Sequence, residues 1–382
     1  MFFGEKLQKV RELNGLSRKE LAETIGISEQ AIWQYENQYT VPKFEVINQF
    51  KKIFKVKPQF FFEAPFVEQI SSTDDIAYRS DDRDARKKVK METSYIDFVD
   101  YFIEQFETQL DVEQGDIESL TNQIEQLYYG SDQKTGETIA EIARIARTNL
   151  NVDQNKALLY QLEIAGVFVL EKNMGPTIDA YSTWTQNQRP FIILGSKKKS
   201  AVRRNFDLAH ELGHLLMHRK IDMDSLTTFE YKAYEKEANY FASVFLLPEQ
   251  EFIKDFEKIN KKSNPFSYVE LKMKYSVSII ALEYRAYQLN LLSFEENRYF
   301  YASLNRNGFR TEEPLDADIP IVKPGKVRAL ISFIFENKLL KMNDFLDQYQ
   351  IEAEFLATLL AIETTFIAQF EQLNTKEYYF SK

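Results

Sequence analysis

The chain has 382 residues and a mass of 45.0 kDa, which exceeds one ordinary domain and is enough for two or three. With 44% hydrophobic and 28% charged residues it can bury a sizeable core, and a disordered or fibrous chain is excluded. The absence of cysteine excludes a disulfide scaffold, a thiolate zinc site and a cysteine nucleophile. The sequence shows neither a secretory signal nor an apolar run near the ~18 residues of a membrane helix. We therefore expect a soluble, cytoplasmic protein without a membrane partner.

Charge is unevenly distributed along the chain. The net charge of −10, taken alone, disfavours binding to nucleic acid. Residues 1–62, however, carry ten Lys or Arg and seven Glu, a net charge of +3, so the other 320 residues carry −13. A basic N-terminal region on an acidic body predicts that the two parts bind different partners.

Three short amphipathic helices are predicted in the first forty residues. Ser17 and Glu20 have the spacing of a capping box that opens the second helix. Gly26 permits a left-handed turn, and Ser28 can cap a third helix. The expected apolar anchors of this third helix are Ile27, Ile32 and Trp33. Two short helices joined by a glycine turn form a helix-turn-helix, whose second helix enters the major groove of DNA.

Residues 3–62 resemble the phage-repressor (XRE) type of helix-turn-helix. The resemblance rests on Gly4, Leu7, Arg11, Gly15-Leu16-Ser17, Leu21-Ala22, Gly26-Ile27-Ser28, Trp33-Gln34-Tyr35-Glu36-Asn37 and Pro42. Gln38 departs from the family, which usually has glycine there, so Gln38 must accept the backbone conformation of the turn. The resemblance implies double-stranded DNA as partner, with base contacts from Ser28, Glu29, Gln30 and Gln34 and phosphate contacts from Arg18, Lys19 and Lys43. The alternative use of these helices is a small dimerisation bundle.

The region between residues 63 and 135 shows no candidate site. The mixed-charge run 80–90 indicates a solvated linker. From residue 96 to residue 127 apolar side chains recur at helical spacing, with a break near Gly115. We expect this stripe, which includes Phe98, Phe102 and Phe106, to be core or an interdomain face.

The candidate chemistry lies around residue 210. The chain has only three histidines, His210, His214 and His218. All three lie in one nine-residue segment of a predicted helix. His210 and His214 are about 40° apart around that helix and one turn apart along it, so both imidazoles can reach one cation. Glu211 lies beside them, where it can accept a proton from a water without being a metal ligand. This His-Glu-x-x-His arrangement is that of zinc peptidases.

A catalytic zinc site has three protein ligands and one open position. We expect His218 at the end of the helix, and if it is not a ligand the third must be a carboxylate, since the chain has no other histidine and no cysteine. Glu235 is the preferred candidate because it shares a helix face with Asn239, which would hydrogen-bond a ligand. Glu237, about 200° away around the same helix, is the alternative.

Residues 136–290 resemble the ImmA/IrrE family of metallopeptidases. The most specific matches are Ala209-His210-Glu211-Leu212-Gly213-His214, the stretch from Glu235 through Ala238-Asn239 to Phe241-Ala242, Leu247-Pro248 and the apolar strand 190–194. The resemblance implies a gluzincin-like fold in which His210, His214 and Glu235 bind Zn²⁺ and Glu211 is the general base. It also implies a protein substrate, since members cleave repressors of phage or stress-response genes. The alternatives are a chance motif on a surface helix and a metal site that is structural or catalytically idle.

These observations together predict a mainly α chain, α+β overall, with four regions. They are a helix-turn-helix DNA-binding domain over 1–65, a linker and helical connector over 66–135, a metallopeptidase domain over 136–295 and a helical C-terminal domain without an assigned role over 296–382. Within these regions, residues 269–289 read as two helices with a turn near Ser276.

The predicted function is that of a DNA-binding transcriptional regulator with a zinc-dependent endopeptidase domain that cleaves a regulatory protein such as a repressor. The alternative is a non-catalytic DNA-binding repressor or antitoxin that uses the peptidase-like domain to bind a partner or to sense metal. A homodimer is compatible with either function, and the sequence leaves the oligomeric state open.

Overall fold

The computed structural model describes residues 1–71, 83–110, 115–130, 135–175, 179–197, 200–223 and 225–380. These residues form eighteen α-helices and one three-stranded sheet, so the predicted mainly α fold with a small β component is confirmed. Of the predicted solvated run 80–90, residues 80–82 lie outside the described residues.

The N-terminal helices are α1 (Gly4–Leu13), α2 (Arg18–Ile25), α3 (Glu29–Glu36) and α4 (Phe44–Phe54). The predicted capping box is present, because Ser17 Oγ accepts from the Glu20 N–H and the Glu20 carboxylate accepts from the Ser17 N–H. Gly26 has φ 73° and Ser28 caps α3, as predicted. Gln38 has φ 61°, so the residue that replaces the usual glycine does adopt the left-handed conformation.

The predicted anchors of α3 are only partly correct. Ile32 is fully buried, and Ile27 packs against the core. Trp33 is 36% exposed and its ring stacks on that of Tyr39 at 5.1 Å. The prediction for Trp33 was wrong because hydrophobicity alone does not separate a core face from an exposed aromatic pair at the turn after α3.

A long helix, α5 (Arg83–Glu107), packs against α1. Its first residues, 83–90, fall in the run that the sequence indicated as solvated linker, so that interpretation was wrong for this part. Arg, Ala and Lys are good helix formers and no Gly or Pro interrupts them, so high charge did not prevent a helix. The aromatic stripe Phe98, Phe102 and Phe106 is buried, as expected.

Three buried acidic residues of α5 connect this helix to the helix-turn-helix and to the sheet. Asp97 pairs with Lys9 of α1 at 3.3 Å and also accepts from the backbone of residues 70 and 71. Glu92 pairs with Lys172 at 2.8 Å, and Asp100 pairs with Arg189, both of which lie in or next to the sheet. Because the three acids are fully buried, these ion pairs are shielded from solvent and from salt.

The next elements span the end of the predicted connector and the first part of the predicted metallopeptidase region. They are α6 (Ile117–Gly130), α7 (Gly136–Asn149), α8 (Leu158–Ile164), β1 (Phe168–Lys172), β2 (Ala180–Trp184) and β3 (Pro190–Gly195). Between α5 and α6 lies the predicted break, where Gly115 packs against the backbone of Ala165 so closely that a Cβ would lie 2.2 Å from the Ala165 oxygen.

The sheet has the order β1-β3-β2, with β1 parallel and β2 antiparallel to β3. All of β3 is buried, as its apolar sequence predicts. Alternate side chains point to opposite faces, so Ile192 and Leu194 join one core and Phe191 and Ile193 join the other. The sheet therefore lies between the helices that carry the candidate chemistry and the helices around α5.

The remaining helices follow the sheet. They are α9 (Ala201–Met217), α10 (Thr228–Leu246), α11 (Glu249–Phe256), α12 (Val269–Tyr275), α13 (Ile279–Gln288), α14 (Phe294–Arg306), α15 (Lys326–Glu336), α16 (Met342–Tyr349), α17 (Ala353–Leu359) and α18 (Thr364–Phe380). The predicted turn near Ser276 separates α12 from α13, with Ser276 at φ 51°.

Helices α15 to α18 share a core with the N-terminal helices and α5. Val56 and Ile351 form an isolated antiparallel bridge, with backbone hydrogen bonds from Lys57 to Gln350 and from Glu352 to Lys55. The C-terminal helices thus pack against the end of α4. Both lie on the opposite side of the sheet from α9.

Candidate metal centre and DNA-facing surface

The three histidines lie at the C-terminal end of α9. His210 and His214 are in its last two turns, and His218 is the residue that ends the helix, as expected. Helix α10 packs against α9 at Gly213, where an added Cβ would lie 3.0 Å from a ring carbon of Phe241 and 3.5 Å from the Ala238 Cα. This close approach brings the polar face of α10 against the histidines.

Three side-chain groups converge between α9 and α10. The Nε2 atoms of His210 and His214 are 3.1 Å apart, and each lies 3.5 Å from a carboxylate oxygen of Glu235. A tetrahedral zinc ion with donors at about 2.0–2.1 Å requires donor–donor distances of about 3.3–3.4 Å. Within the described residues these three form the one group of His, Asp and Glu side chains placed to hold a metal ion.

The hydrogen bond of His210 with Asn239 orients the imidazole ring for binding a cation. Its Nδ1 lies 3.2 Å from Asn239 Oδ1, an acceptor, so Nδ1 carries the proton and Nε2 presents a lone pair. Burial lowers the pKa of His214, which also favours its neutral form. Two lone pairs and a carboxylate directed at one point repel one another unless a cation lies between them, so this donor set fits zinc.

Glu235 ionises readily despite its environment. Burial raises the pKa of this carboxyl, but its interactions with His214, His210 and Tyr231 outweigh burial and hold the pKa at about 2. Its side chain is 31% exposed, and those of His210 and His214 are each 14% exposed. The cluster can therefore be reached from solvent.

Glu211 lies on the side of α9 that contacts β2. Ser182 of β2 donates a hydrogen bond to Glu211 Oε2 at 2.7 Å and lies 3.2 Å from the Glu211 backbone oxygen. The Glu211 side chain thus has a fixed orientation beside the histidines without being part of the converging cluster. Sequence reasoning missed Ser182, because a single serine in a short strand carries no chemical signal of its own.

Glu237 lies apart from the converging cluster. Its Oε2 accepts a hydrogen bond from Tyr128 at 2.5 Å and lies 3.2 Å from His218 Nε2. The two glutamates of α10 therefore point in different directions, as their spacing predicted, and Glu235 is the one that meets His210 and His214.

The residues proposed to contact bases lie along α3 and at its N-cap. Ser28, Glu29 and Gln30 are exposed, and Gln34 is half-buried. Lys19, with 69% of its side chain exposed, and Lys43, which precedes α4, are exposed as well. Five of these six side chains are therefore exposed to solvent, and that of Gln34 is partly exposed.

Arg18 has a different environment from the other phosphate candidates. Its Nε pairs at 2.5 Å with Glu36, a buried carboxylate that Arg11 also pairs with at 2.5 Å. The side chain of Arg18 is 36% exposed. Arg18 therefore helps to hold α2 against the end of α3, and any phosphate contact by it would add to that structural role.

Much of the positive charge of residues 1–62 lies away from α3. Lys51, Lys55 and Lys57 at the end of α4 pair with carboxylates of the C-terminal helices. Helix α5 contributes other cations, since Lys87 pairs with Glu20 at 2.6 Å and Lys90 lies 3.6 Å from Glu12. The charge near α2 and α3 is thus set by α5 as well as by the N-terminal residues.

A cavity of about 310 Å³ lies where α5 meets the helix-turn-helix. Its walls include Ser17 and Arg18 at the start of α2, Glu29 at the start of α3, and Lys87 and Lys90 of α5. The hydrogen bonds of Glu20 with Lys87 and Ser17 hold the pKa of Glu20 at about 2. The sequence did not identify Lys87 and Lys90 as neighbours of the helix-turn-helix, because their mixed-charge surroundings indicated a linker.

Fold and site together define a helix-turn-helix joined to an α+β domain of metallopeptidase type. Residues 7–61 match the family model of the helix-turn-helix, and residues 162–287 match that of the IrrE N-terminal-like domain. The chain is thus a fusion of an XRE-type helix-turn-helix with an IrrE/ImmA-like metallopeptidase domain, as the resemblance predicted. No curated protein sequence gives a significant match to the chain.

The matched families support two coarse functional statements. Residues 7–61 are of the DNA-binding, transcription-regulating type, and residues 162–287 are metallopeptidase-like with a His-His-Glu candidate for zinc. Across the part of the chain that the structure describes, no helix is both long and apolar enough to cross a lipid bilayer.

Proposed function

We propose that the chain is a DNA-binding transcriptional regulator whose metallopeptidase-like domain hydrolyses peptide bonds in a regulatory protein, such as a repressor. The observation that carries this proposal is the convergence of His210 Nε2, His214 Nε2 and the Glu235 carboxylate at distances of 3.1–3.5 Å. These residues would hold zinc, which when bound polarises a carbonyl group and lowers the pKa of a water molecule.

The chain's own residues would carry the proton transfers. Glu211 would accept a proton from the water that attacks the scissile carbonyl carbon, and would pass it to the amine nitrogen as the C–N bond breaks. Ser182, by donating to Glu211 Oε2, holds this carboxylate in place between the two proton transfers. Asn239 holds the ring of His210 through its Nδ1.

Zinc content tests the proposed metal centre. We expect the purified protein to contain close to one zinc per chain, and Glu235→Ala to lose it under the same preparation. Glu249→Ala is a matched control, since this side chain is 61% exposed at the start of α11 and lies outside the cluster. A parent protein without zinc after supplementation, or a Glu235→Ala protein with unchanged zinc content, would refute the proposed ligand set.

The DNA-binding half of the proposal places α3 in the major groove, with Glu29, Gln30 and Gln34 at base edges and Lys19 and Lys43 at phosphates. The exposure of Glu29, Gln30, Lys19 and Lys43 supports it. Two copies on a symmetric operator would protect half-sites about one helical turn apart, and a single copy would protect one site.

Two variants separate base contacts from phosphate contacts. We expect Gln30→Ala to weaken binding to an operator recovered by selection from random duplexes by about 1–3 kcal/mol, with little effect on unrelated DNA. Lys43→Gln should weaken binding to both, and should reduce the slope of log affinity against log salt by about 1. Fluorescence anisotropy over a salt series measures both quantities, and equal effects of the two variants on both DNAs would contradict the assignment.

A metal-sensing repressor without turnover is the second candidate function. It is favoured by the buried ion pairs of Asp97 with Lys9 and of Glu92 with Lys172, which connect the helix-turn-helix to the sheet behind α9. This function requires operator affinity to change when zinc is removed by a chelator. The peptidase function requires no such change, and instead requires Glu211 for the regulatory effect.

A further inference from the structure

We propose that His218 and Glu237, supported by Tyr128, form a hydrogen-bond relay that sets the tautomer of His214 and directs its Nε2 lone pair toward the metal position. His218 and Glu237 are therefore positioning residues and not ligands. The inference rests on the proposed zinc site and extends it, because neither the His-Glu-x-x-His pattern nor the Glu235 position assigns a role to His218.

The relay is a continuous chain of short polar contacts. His214 Nδ1 and His218 Nδ1 are 2.9 Å apart, and His218 Nε2 lies 3.2 Å from Glu237 Oε2. The hydroxyl of Tyr128 donates to the same Glu237 oxygen at 2.5 Å. Because the ring of His218 contacts His214 with one nitrogen and Glu237 with the other, both of its nitrogens are engaged.

If both imidazole rings are neutral, only one arrangement of hydrogen-bond donors and acceptors fits the contacts of this relay. A carboxylate oxygen accepts, so His218 Nε2 must carry the proton that it shares with Glu237. His218 Nδ1 is then an acceptor, and His214 Nδ1 must donate to it. His214 Nε2 is left with its lone pair, 3.1 Å from His210 Nε2 and 3.5 Å from Glu235.

Because His218 is buried, water molecules cannot readily take the place of these hydrogen bonds. Its side chain is 1% exposed, and its ring contacts those of Tyr128 and Tyr234 at centroid distances of 5.7 and 5.0 Å. Tyr128 is fully buried. His210, by contrast, uses the amide oxygen of Asn239, so the two imidazoles of the cluster are held by different partners.

Imidazole NMR on the metal-free protein tests the relay directly. Only three histidines are present, so ¹⁵N-histidine labelling gives three ring systems at about pH 8, above the ordinary pKa of imidazole. We expect His214 as the Nδ1–H tautomer and His218 as the Nε2–H tautomer, with assignments from single His→Gln variants. A His214 ring protonated at Nε2, or a His218 ring protonated at Nδ1, would overturn the proposal.

Zinc affinity of His218 variants provides the functional readout. Loss of such a supporting partner typically weakens metal binding by 10–100-fold, so we expect His218→Leu to raise the zinc Kd by about that factor in a chelator competition. His218→Gln keeps an acceptor for His214 and a donor for Glu237, and should recover much of the affinity. Tyr129→Phe removes a different hydrogen bond at the end of α9, to the Met217 oxygen, and should leave the Kd unchanged.

The outcomes separate this inference from the proposed function. If the parent protein binds zinc and His218→Leu, folded by circular dichroism, binds it equally well, the relay is refuted and the metal centre stands. If the parent protein binds no zinc, the proposed function fails, and the tautomers of His214 and His218 still decide whether the relay exists.

Discussion

Replacing Glu211 with glutamine is expected to reduce peptide hydrolysis by about two to four orders of magnitude, the usual contribution of a general base. Glutamine keeps the size of the side chain and an oxygen that can accept from Ser182, but it cannot take up a proton. Zinc content and operator binding should be unchanged, because Glu211 is outside the converging cluster and far in sequence from the helix-turn-helix. Terminal-amine labelling of a proteome incubated with each protein would detect the cleaved bonds.

Glu141→Gln is the matched control for this experiment. Glu141 is a half-exposed glutamate of α7 that pairs with Arg144 on the surface, so its replacement should leave hydrolysis intact. Cleavage products that persist at the parental rate in Glu211→Gln would exclude the proposed base. Equal regulation by the parent and by Glu211→Gln, with no cleavage by either, would favour the non-catalytic, metal-sensing function.

Replacing Gly4 with alanine is expected to unfold or displace the helix-turn-helix, at a cost of about 3 kcal/mol or more. An added Cβ would lie 2.2 Å from the Tyr35 oxygen and 2.3 Å from the Glu36 oxygen, and neither backbone atom can move without moving α3. The displacement would also separate Arg11 from Glu36. We therefore expect loss of operator binding with retention of zinc, measured by thermal unfolding, anisotropy and metal analysis on the full chain.

The prediction for Gly4→Ala is specific, because the expected destabilisation is opposite to the usual effect of this substitution. A glycine-to-alanine change inside a helix ordinarily stabilises the protein by about 0.5–1 kcal/mol. Gly130→Ala, at the end of α6, is the control, because a Cβ there would contact nothing within 4 Å. A Gly4→Ala protein that melts like the parent and still binds operator would show that Gly4 does not pack this closely against the backbone of α3.

Local sequence signals predicted the helix-turn-helix and the metal-bearing helix. Ser17 with Glu20, Gly26 and Ser28 each specify a helix end through contacts within three or four residues. The spacing of His210 and His214 places them on one helix face wherever the helix lies. Such features need no knowledge of the rest of the fold, which is why the sequence sufficed.

The choice between the two glutamates of α10 illustrates an intermediate case. Helix geometry showed that Glu235 and Glu237 point in different directions, but not which direction faces the histidines. The contact of α10 with α9 at Gly213 determines this, and the packing of a glycine against Phe241 is a property of two helices together. Sharing a face with Asn239 was the useful clue, since Asn239 does meet His210.

The features that the sequence did not predict depend on long-range contacts. Ser182 is 29 positions from Glu211, and its contact depends on the register of β2 with β3 and on the packing of α9 over the sheet. The partners of Glu92 and Asp100 on α5 are 80 and 89 positions away. Charged residues at such separations look the same in a sequence whether they end in solvent or in a buried pair.

The most direct test of the metal centre is zinc K-edge X-ray absorption on the purified 382-residue protein. The proposed ligand set predicts a coordination shell at about 2.0–2.1 Å with two imidazoles, the outer-shell scattering of two rings, and oxygen donors in the remaining positions. The Glu237→Gln protein should keep this shell, and Glu235→Ala should not form it. A shell with three imidazoles would make His218 a ligand, and the absence of bound zinc would contradict the metal centre itself.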